Sequence, residues 1–495
     1  MRIFLKSIPI LILAVVLFIP NAFAANSVTR LDGANRYEVA VNVSKQGWSS
    51  ANTVVIANGT AYADVLTASP LAYKYNAPIL LTKSTTLTTA TKNRISQLKP
   101  SKVFVIGGTI SVSNNVVNEL KKLGVSTVER IGGSSRYEVA QNISKKLSSN
   151  SKAIIANGTA YADSLAISTY AARQGIPILL TTEKSIPTAT KNAMKSKGTS
   201  STIVVGGEIS VPKSIYGQLP SPTRIGGKDR FEVAANIAKR YYSSSKSAFI
   251  SNGFKYADAL AGSALASKQN RPMLFTKADS LATATRAIIG SNSINNFTVL
   301  GGTISVQTVV TNQLKNEIVG KKVFIDAGHG GYDSGAVGNG LKEKDVNLTV
   351  AKLVNSKLSK GGALPVMSRS TDVFLELSER VAKAKSNNVD LFVSIHANSA
   401  SASATGTETY YYTKYESANS KRLATEIQNR LYQAMNTQNR GVKIGIFHVI
   451  RESTMPSSLV ELAFISNAND ASKLKSALYQ EKAAQAIYEG IIAYY

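Results

Sequence analysis

Arg30-Leu31-Asp32-Gly33-Ala34-Asn35-Arg36-Tyr37-Glu38-Val39-Ala40 returns as Arg130-Ile131-Gly132-Gly133-Ser134-Ser135-Arg136-Tyr137-Glu138-Val139-Ala140, and again as Arg224-Ile225-Gly226-Gly227-Lys228-Asp229-Arg230-Phe231-Glu232-Val233-Ala234. Three more elements follow each copy in fixed order. An Asn-Gly turn leads to Tyr62-Ala63-Asp64, Tyr161-Ala162-Asp163 and Tyr256-Ala257-Asp258. Next come Pro78-Ile79-Leu80-Leu81-Thr82, Pro177-Ile178-Leu179-Leu180-Thr181 and Pro272-Met273-Leu274-Phe275-Thr276. An apolar run then ends in Gly107-Gly108, Gly206-Gly207 and Gly301-Gly302. This order, kept three times at a spacing of about 95–100 residues, is an internal repeat too long for a solenoid turn. Val54–Ala57, Ile79–Thr82 and Val103–Ile106 are short apolar runs closed by turn residues, and Asp64–Tyr75 has helical character. Strands alternating with helices predict parallel sheets, hence three small α/β modules at 28–128, 129–222 and 223–318. The glycine pairs lack a phosphate-loop context and read as tight turns. Each Tyr-Ala-Asp reads as a helix start, with the Asp as cap or first-turn acid.

Beyond Gly320 the repeat elements stop and all three histidines appear. Val323-Phe324-Ile325-Asp326-Ala327-Gly328-His329-Gly330-Gly331 and Leu391-Phe392-Val393-Ser394-Ile395-His396-Ala397-Asn398 each read as a buried strand opening into a loop. Loops at the carboxyl ends of strands in open α/β sheets are where ligands bind. Glu343 lies at the mouth of a helix expected over Asp345–Leu358, close to His329 if the sheet is parallel. Two imidazoles and a carboxylate suit a three-ligand zinc site whose fourth position stays open for water. Glu461, alone in the apolar Ser458–Ile465, is a buried charge that needs a reason, and a general base is one. His448 is expected to line the site or serve structurally. Asn398 and Arg451 are candidate substrate contacts. Arg369 and Arg380 are expected to pair with Asp372 or Glu379 near the surface.

Residues 1–24 have the form of a secretory signal: basic Arg2 and Lys6, an apolar Ile8–Ile19, and Ala22-Phe23-Ala24 as cleavage site. No later stretch is apolar for long enough to span a membrane, so the mature chain is expected to have no membrane span. With no cysteine in 495 residues, thiolate ligands and a cysteine nucleophile are excluded. The formal charge of +27 is uneven. Residues 320–495 hold 21 Lys/Arg and 16 Asp/Glu, which leaves about +20 on the mature N-terminal part. That field attracts polyanions and makes binding salt-sensitive. An exported protein meets anionic wall polymers rather than nucleic acid, and the chain lacks an aromatic, basic stripe for nucleic-acid stacking.

The repeats resemble cell wall binding repeat 2 of clostridial and bacillar surface proteins, across 28–318. That resemblance implies α/β modules around a pseudo-threefold axis that hold anionic polymers of a Gram-positive wall, such as teichoic acids. It also implicates the Pro-Ile-Leu-Leu segment, here Ile79, Leu80, Leu81 and Ile178, Leu179, Leu180. The third copy departs from it as Met273-Leu274-Phe275. The tail from about 321 to 495 resembles the zinc N-acetylmuramoyl-L-alanine amidases. The match runs through Asp326–Gly331, Glu343-Lys344-Asp345, Ser368-Arg369 with Asp372, Ser394–Asn398 and Leu459-Val460-Glu461; Ala327 stands where proline is common. This implies an α/β domain with a mostly parallel sheet, one zinc ion on His329, Glu343 and His396, and Glu461 as catalytic carboxylate. The whole chain then reads as a secreted, wall-associated autolysin acting on peptidoglycan. The alternatives are a wall-anchored surface protein with an inactive tail, and a zinc peptidase. The short Ser/Ala-rich stretch after Asn398 leaves no room for a helix that would plug the zinc.

Overall fold

The computed structural model describes residues 26–495, so the expected leader lies outside the described residues. Each repeat builds a four-stranded, all-parallel sheet, and the strands Thr53–Asn58, Ile79–Thr82 and Lys102–Ile106 form three of the first. The fourth is Thr127–Ile131, the opening strand of the next repeat. Pro222–Ile225 does the same for the second sheet, and Ser27–Leu31 pairs with Asn296–Leu300 to complete the third. The boundaries expected at 128/129 and 222/223 therefore fall inside strands. Each repeat hands one strand to its predecessor, and the N-terminal strand closes the ring. These opening strands are half-polar, with only their last residue buried, so no apolar run announced them.

The Tyr-Ala-Asp helices meet around the pseudo-threefold axis: Ser69–Lys74, Tyr161–Gln174 and Tyr256–Gln269 touch one another in pairs. The rings of Tyr62, Tyr161 and Tyr256 converge there with centroids 4.8–5.8 Å apart. The first helix is shorter than the expected Asp64–Tyr75. Tyr62–Asp64 forms a single 3-10 turn and the α-helix begins only at Ser69. Pro70, where the later repeats have Thr169 and Ala264, cannot donate to the preceding turn and is tolerated only in the first turn of a helix.

The Pro-Ile-Leu-Leu expectation is corrected. Ile79, Leu80, Leu81, Ile178, Leu179 and Leu180 are at most 1% exposed, in strands covered on both faces. Sheet core of this kind offers no side-chain atom to a polymer. Met273-Leu274-Phe275 occupies the same buried strand position, so the third copy is structurally equivalent.

The C-terminal domain is a six-stranded sheet in the order Leu364–Met367, Lys322–Ala327, Leu391–Asn398, Ser457–Phe464, Thr407–Tyr411, Asn439–Ile444. All pairings are parallel except that between Ser457–Phe464 and Thr407–Tyr411. Alternation divides each strand between two cores. Val323, Ile325, Val393 and Val460 pack with Val350, Ile427 and Ile487 of the helices Glu343–Lys360, Ser417–Met435 and Ala477–Tyr494. Phe324, Phe392 and Leu459 face the other way, against Val381 of the helix Leu377–Ser386. The domain sits directly on the third module: Arg286 donates to the Ala363 carbonyl at 2.7 Å, and Gln313 to that of Lys360 at 2.9 Å. No helix of the described residues is long and apolar enough to cross a membrane.

Candidate active site

The face that carries Phe324, Phe392 and Leu459 continues, two residues at a time, to Asp326, His396 and Glu461 at the carboxyl edge of the sheet. Parallel register sets His396 beside Glu461, so both side chains rise from the same face. Beyond Ala327 the chain turns through Gly328. A Cβ there would run into the His396 ring, and this close approach explains the glycine. His329 follows with φ +60°, a left-handed conformation that swings its ring back over the strand ends. Glu343 is the first residue of its helix and is 5% exposed.

His329, Glu343 and His396 each place a donor atom within 4.8 Å of the others. Glu343 Oε1 lies 3.2 Å from His329 Nε2 and 2.9 Å from His396 Nδ1. Backbone N–H groups of Ala336 and Ala397 and the amide of Asn347 also donate to this carboxylate. Burial pushes the Glu343 carboxyl upward, but hydrogen bonds from both imidazoles outweigh it and hold the group far below the carboxylate range. Gly335, at φ +61°, lies against the pair: a Cβ there would sit 2.6 Å from both Glu343 Oε2 and the His329 ring.

Glu461 is 9% exposed, and its Oε2 is buried with no hydrogen-bond partner among the described residues. Burial first, then the charges of Glu343 and Glu408, push its carboxyl well above the ordinary value. A buried carboxyl oxygen without a hydrogen-bond partner, on a residue that lines the same cleft as two imidazoles, is free to exchange a proton with something bound there. The cleft, about 580 Å³, is lined by His329, Glu343, His396 and Glu461, with Asn398 and His448 on its walls and Phe374 and Phe447 giving it apolar sides. The loop between Asn398 and Thr407 is short and has no helix.

The structure thus brings together four of the expected residues and adds Asn398 at the edge. Arg451 is not in the cleft wall; its Nε donates to Glu452 at 2.7 Å. The expected surface pairs of Arg369 and Arg380 are also corrected. Arg380 is 2% exposed and pairs with Asp326, 1% exposed, at 2.8 Å. It also donates to the carbonyls of Ala327 and His329. Arg369 donates to those of Ala327, Gly328 and Lys344. Together they satisfy the carbonyls of a loop whose geometry leaves them outside any ladder.

Other residues that position the site were missed. Asp333 accepts a hydrogen bond from His329 Nδ1 at 2.8 Å and so fixes that ring; the His-x-x-x-Asp spacing in a glycine-rich loop was the available signal. Glu408, 2% exposed and facing Glu461 across the antiparallel pair, receives hydrogen bonds from Asn398, Tyr410 and Arg440 at 2.7, 2.6 and 2.7 Å. Nothing in Thr407-Glu408-Thr409 marks it in the sequence.

Two imidazoles and a carboxylate, with a lone buried acid beside them at the carboxyl edge of a parallel sheet, are residue types that metal-assisted hydrolases use. A family model described as N-acetylmuramoyl-L-alanine amidase matches residues 323–493, and one described as cell wall binding domain 2 matches 30–117, 130–216 and 224–311. The chain is 51% identical over 496 residues, spanning all of both, to N-acetylmuramoyl-L-alanine amidase LytC of Bacillus subtilis (strain 168). Among solved structures it is similar to Cwp6 from Clostridium difficile: 32% identity, TM-score 0.59, covering 94% of this chain and 79% of that one. For Cwp8 from the same organism the values are 28%, 0.53, 56% and 50%. The chain belongs to the N-acetylmuramoyl-L-alanine amidases, and it carries three cell wall binding repeats. It is an enzyme that hydrolyses the amide between the muramoyl lactyl group and L-alanine. The inactive-tail alternative has no support.

Proposed function

We propose that His329, Glu343 and His396 hold one zinc ion and that Glu461 is the general base and acid of the amidase. The observation that carries this reading is that Glu461, its Oε2 buried without a hydrogen-bond partner among the described residues, lines the same cleft as the triad. The donor set fits the metal. Two imidazole nitrogens and a carboxylate oxygen within 4.8 Å of one another are ligand types that a catalytic zinc would take. When bound, zinc supplies a Lewis acid that lowers the pKa of a coordinated water to about 7, and its charge opposes the upward push on Glu461. Glu461 takes the proton of the attacking water and delivers one to the departing alanine amine. Asp333 keeps the His329 ring turned so that Nε2 points into the cleft. Asn398, which donates to Glu408 and accepts from the Ser399 backbone N–H, stands at the cleft wall as a polar contact for the substrate's stem peptide. The apolar sides from Phe374 and Phe447 exclude water around the scissile bond.

The same reading has the protein exported by residues 1–24 and held outside the cell on a Gram-positive wall. Its basic repeats there bind anionic polymers such as teichoic acids, which bring the cleft to peptidoglycan. The test is product analysis on purified walls. Wild type is expected to expose alanine amino termini without cutting cross-bridges. Chelator is expected to stop release, and added zinc to restore it. Cross-bridge cleavage instead would identify a peptidase, and chelator-resistant release would remove the metal.

A further inference from the structure

Each repeat leaves one large aliphatic side chain out of its own packing. In the turn after the glycine pair, Val112, Val211 and Val306 are fully buried. Two residues earlier, Ile110, Ile209 and Ile304 are 96, 93 and 85% exposed. The chain beyond has diverged, to Ser113-Asn114-Asn115, Pro212-Lys213-Ser214 and Gln307-Thr308-Val309, while the isoleucine stays. One exposed isoleucine is ordinary. The same one kept three times in water, where folding gains nothing from it, points to contact with a partner.

Ile209 and Ile304 stand on clefts of about 480 and 810 Å³, at the junctions of the second repeat with the third and of the third with the first. Arg230 and Arg36 lie in the same clefts. Arg230 donates through Nη1 to the Gly253 carbonyl at 2.6 Å and the Tyr161 hydroxyl at 3.1 Å. Arg36 does the same to Gly59 at 2.5 Å and Tyr256 at 3.2 Å. Arg136 donates to Gly158 at 2.5 Å and lies 5.9 Å from the centre of the Tyr62 ring. In all three the Nε and Nη2 groups have no partner among the described residues. A guanidinium pinned at one nitrogen on a rigid tyrosine cluster, with the rest of its fork free, suits a tetrahedral oxyanion. Three such arginines, one at each junction of the ring and two of them in clefts, suit a partner that itself repeats.

We propose that the three junctions are equivalent subsites for one strand of a sugar–phosphate wall polymer, Arg36, Arg136 and Arg230 each taking a phosphodiester while Ile304, Ile110 and Ile209 lie against the adjoining sugar. This rests on the reading that the repeats hold an anionic wall polymer. The subsites are not equally strong. The Arg230 cleft holds four carboxylates, Asp163, Glu183, Glu208 and Asp229, against Arg230 and Lys228, whereas the Arg36 cleft balances Asp32 and Asp258 with Arg36 and Lys255.

The test is sedimentation of the full chain with purified walls, before and after hydrofluoric acid removes phosphodiester-linked polymers. Wild type is expected to lose most of its adsorption on stripped walls. The triple variant Ile110→Ser/Ile209→Ser/Ile304→Ser is expected to bind intact walls at least about tenfold more weakly, and single variants about two- to threefold, with Ile304→Ser worse than Ile209→Ser. The melting temperature shows that these variants fold, and Arg36→Gln/Arg136→Gln/Arg230→Gln, judged the same way, is expected to match the isoleucine triple. Equal adsorption of wild type to stripped and intact walls would overturn the polymer reading itself. Preference of wild type for intact walls, with undiminished adsorption by either folded triple variant, would overturn the cleft assignment alone.

Discussion

At the scale of single residues, the site is governed by what holds each donor in place. Asp333 does for His329 what a carboxylate behind a ligating imidazole does generally: it fixes the tautomer and the ring direction. Asp333→Asn keeps the size and loses the charge. It is expected to weaken zinc affinity by roughly 10- to 100-fold in a competition titration with a chromogenic chelator, with the fold unchanged. An unchanged affinity would make Asp333 a loop residue only. Asp326 and Arg380 are a different case, both almost fully buried. Removing one leaves an uncompensated charge, so Arg380→Met is expected to cost about 3–5 kcal/mol in denaturant unfolding. The joint change with Asp326→Leu is expected to recover part of that. His329, His396 and Glu461 could be read from the sequence because each ends or breaks an apolar run, and Glu343, among charges in Lys342-Glu343-Lys344-Asp345, only from its place at the mouth of a helix. Arg369 and Arg380 could not, because their partners are backbone carbonyls and an aspartate more than forty residues away.

At the scale of elements, the strands were legible wherever both faces are buried, as in Ile79–Thr82 and Leu391–Asn398, since such strands read as unbroken apolar runs. The opening strands of the repeats were not, because half their residues stay in water and only pairing with the preceding sheet defines them. The Thr407–Tyr411 strand brings its own titration. Hydrogen bonds from Lys443, Tyr410 and Arg440 outweigh burial and hold the Glu408 carboxyl at about 2. A group depressed in the folded state from an unfolded value of about 4.5 stabilises fully above the latter and progressively less as pH falls towards 2. Melting temperature is therefore expected to fall more steeply between pH 4.5 and 2 for wild type than for Glu408→Gln, by an amount equivalent to at most about 3 kcal/mol. Parallel curves would show that Glu408 contributes no pH-linked stability.

At the scale of the whole molecule, ring closure is a long-range event. Ser27–Leu31 must find Asn296–Leu300, and without it the third sheet keeps an open edge beside the amidase domain. Deleting residues 27–31 is expected to lower the melting temperature by several degrees and to promote association between chains. A monomer melting like wild type would show that the closing strand is dispensable. The positive field of the repeats makes a second prediction. Adsorption to intact walls is expected to fall at least about tenfold between 0.1 and 1 M salt, as the Debye length shrinks from about 10 to 3 Å. Salt-independent adsorption would rule out electrostatic attraction as the main term.

The central claim is that Glu461 moves the protons while the triad holds the metal. Zinc content and alanine amino-terminus release should be measured together on wild type and Glu461→Gln, prepared identically. The expected result is one zinc per chain in both, with release reduced about 10²- to 10⁴-fold in the variant. Equal turnover by the two proteins at equal zinc content would contradict the assignment.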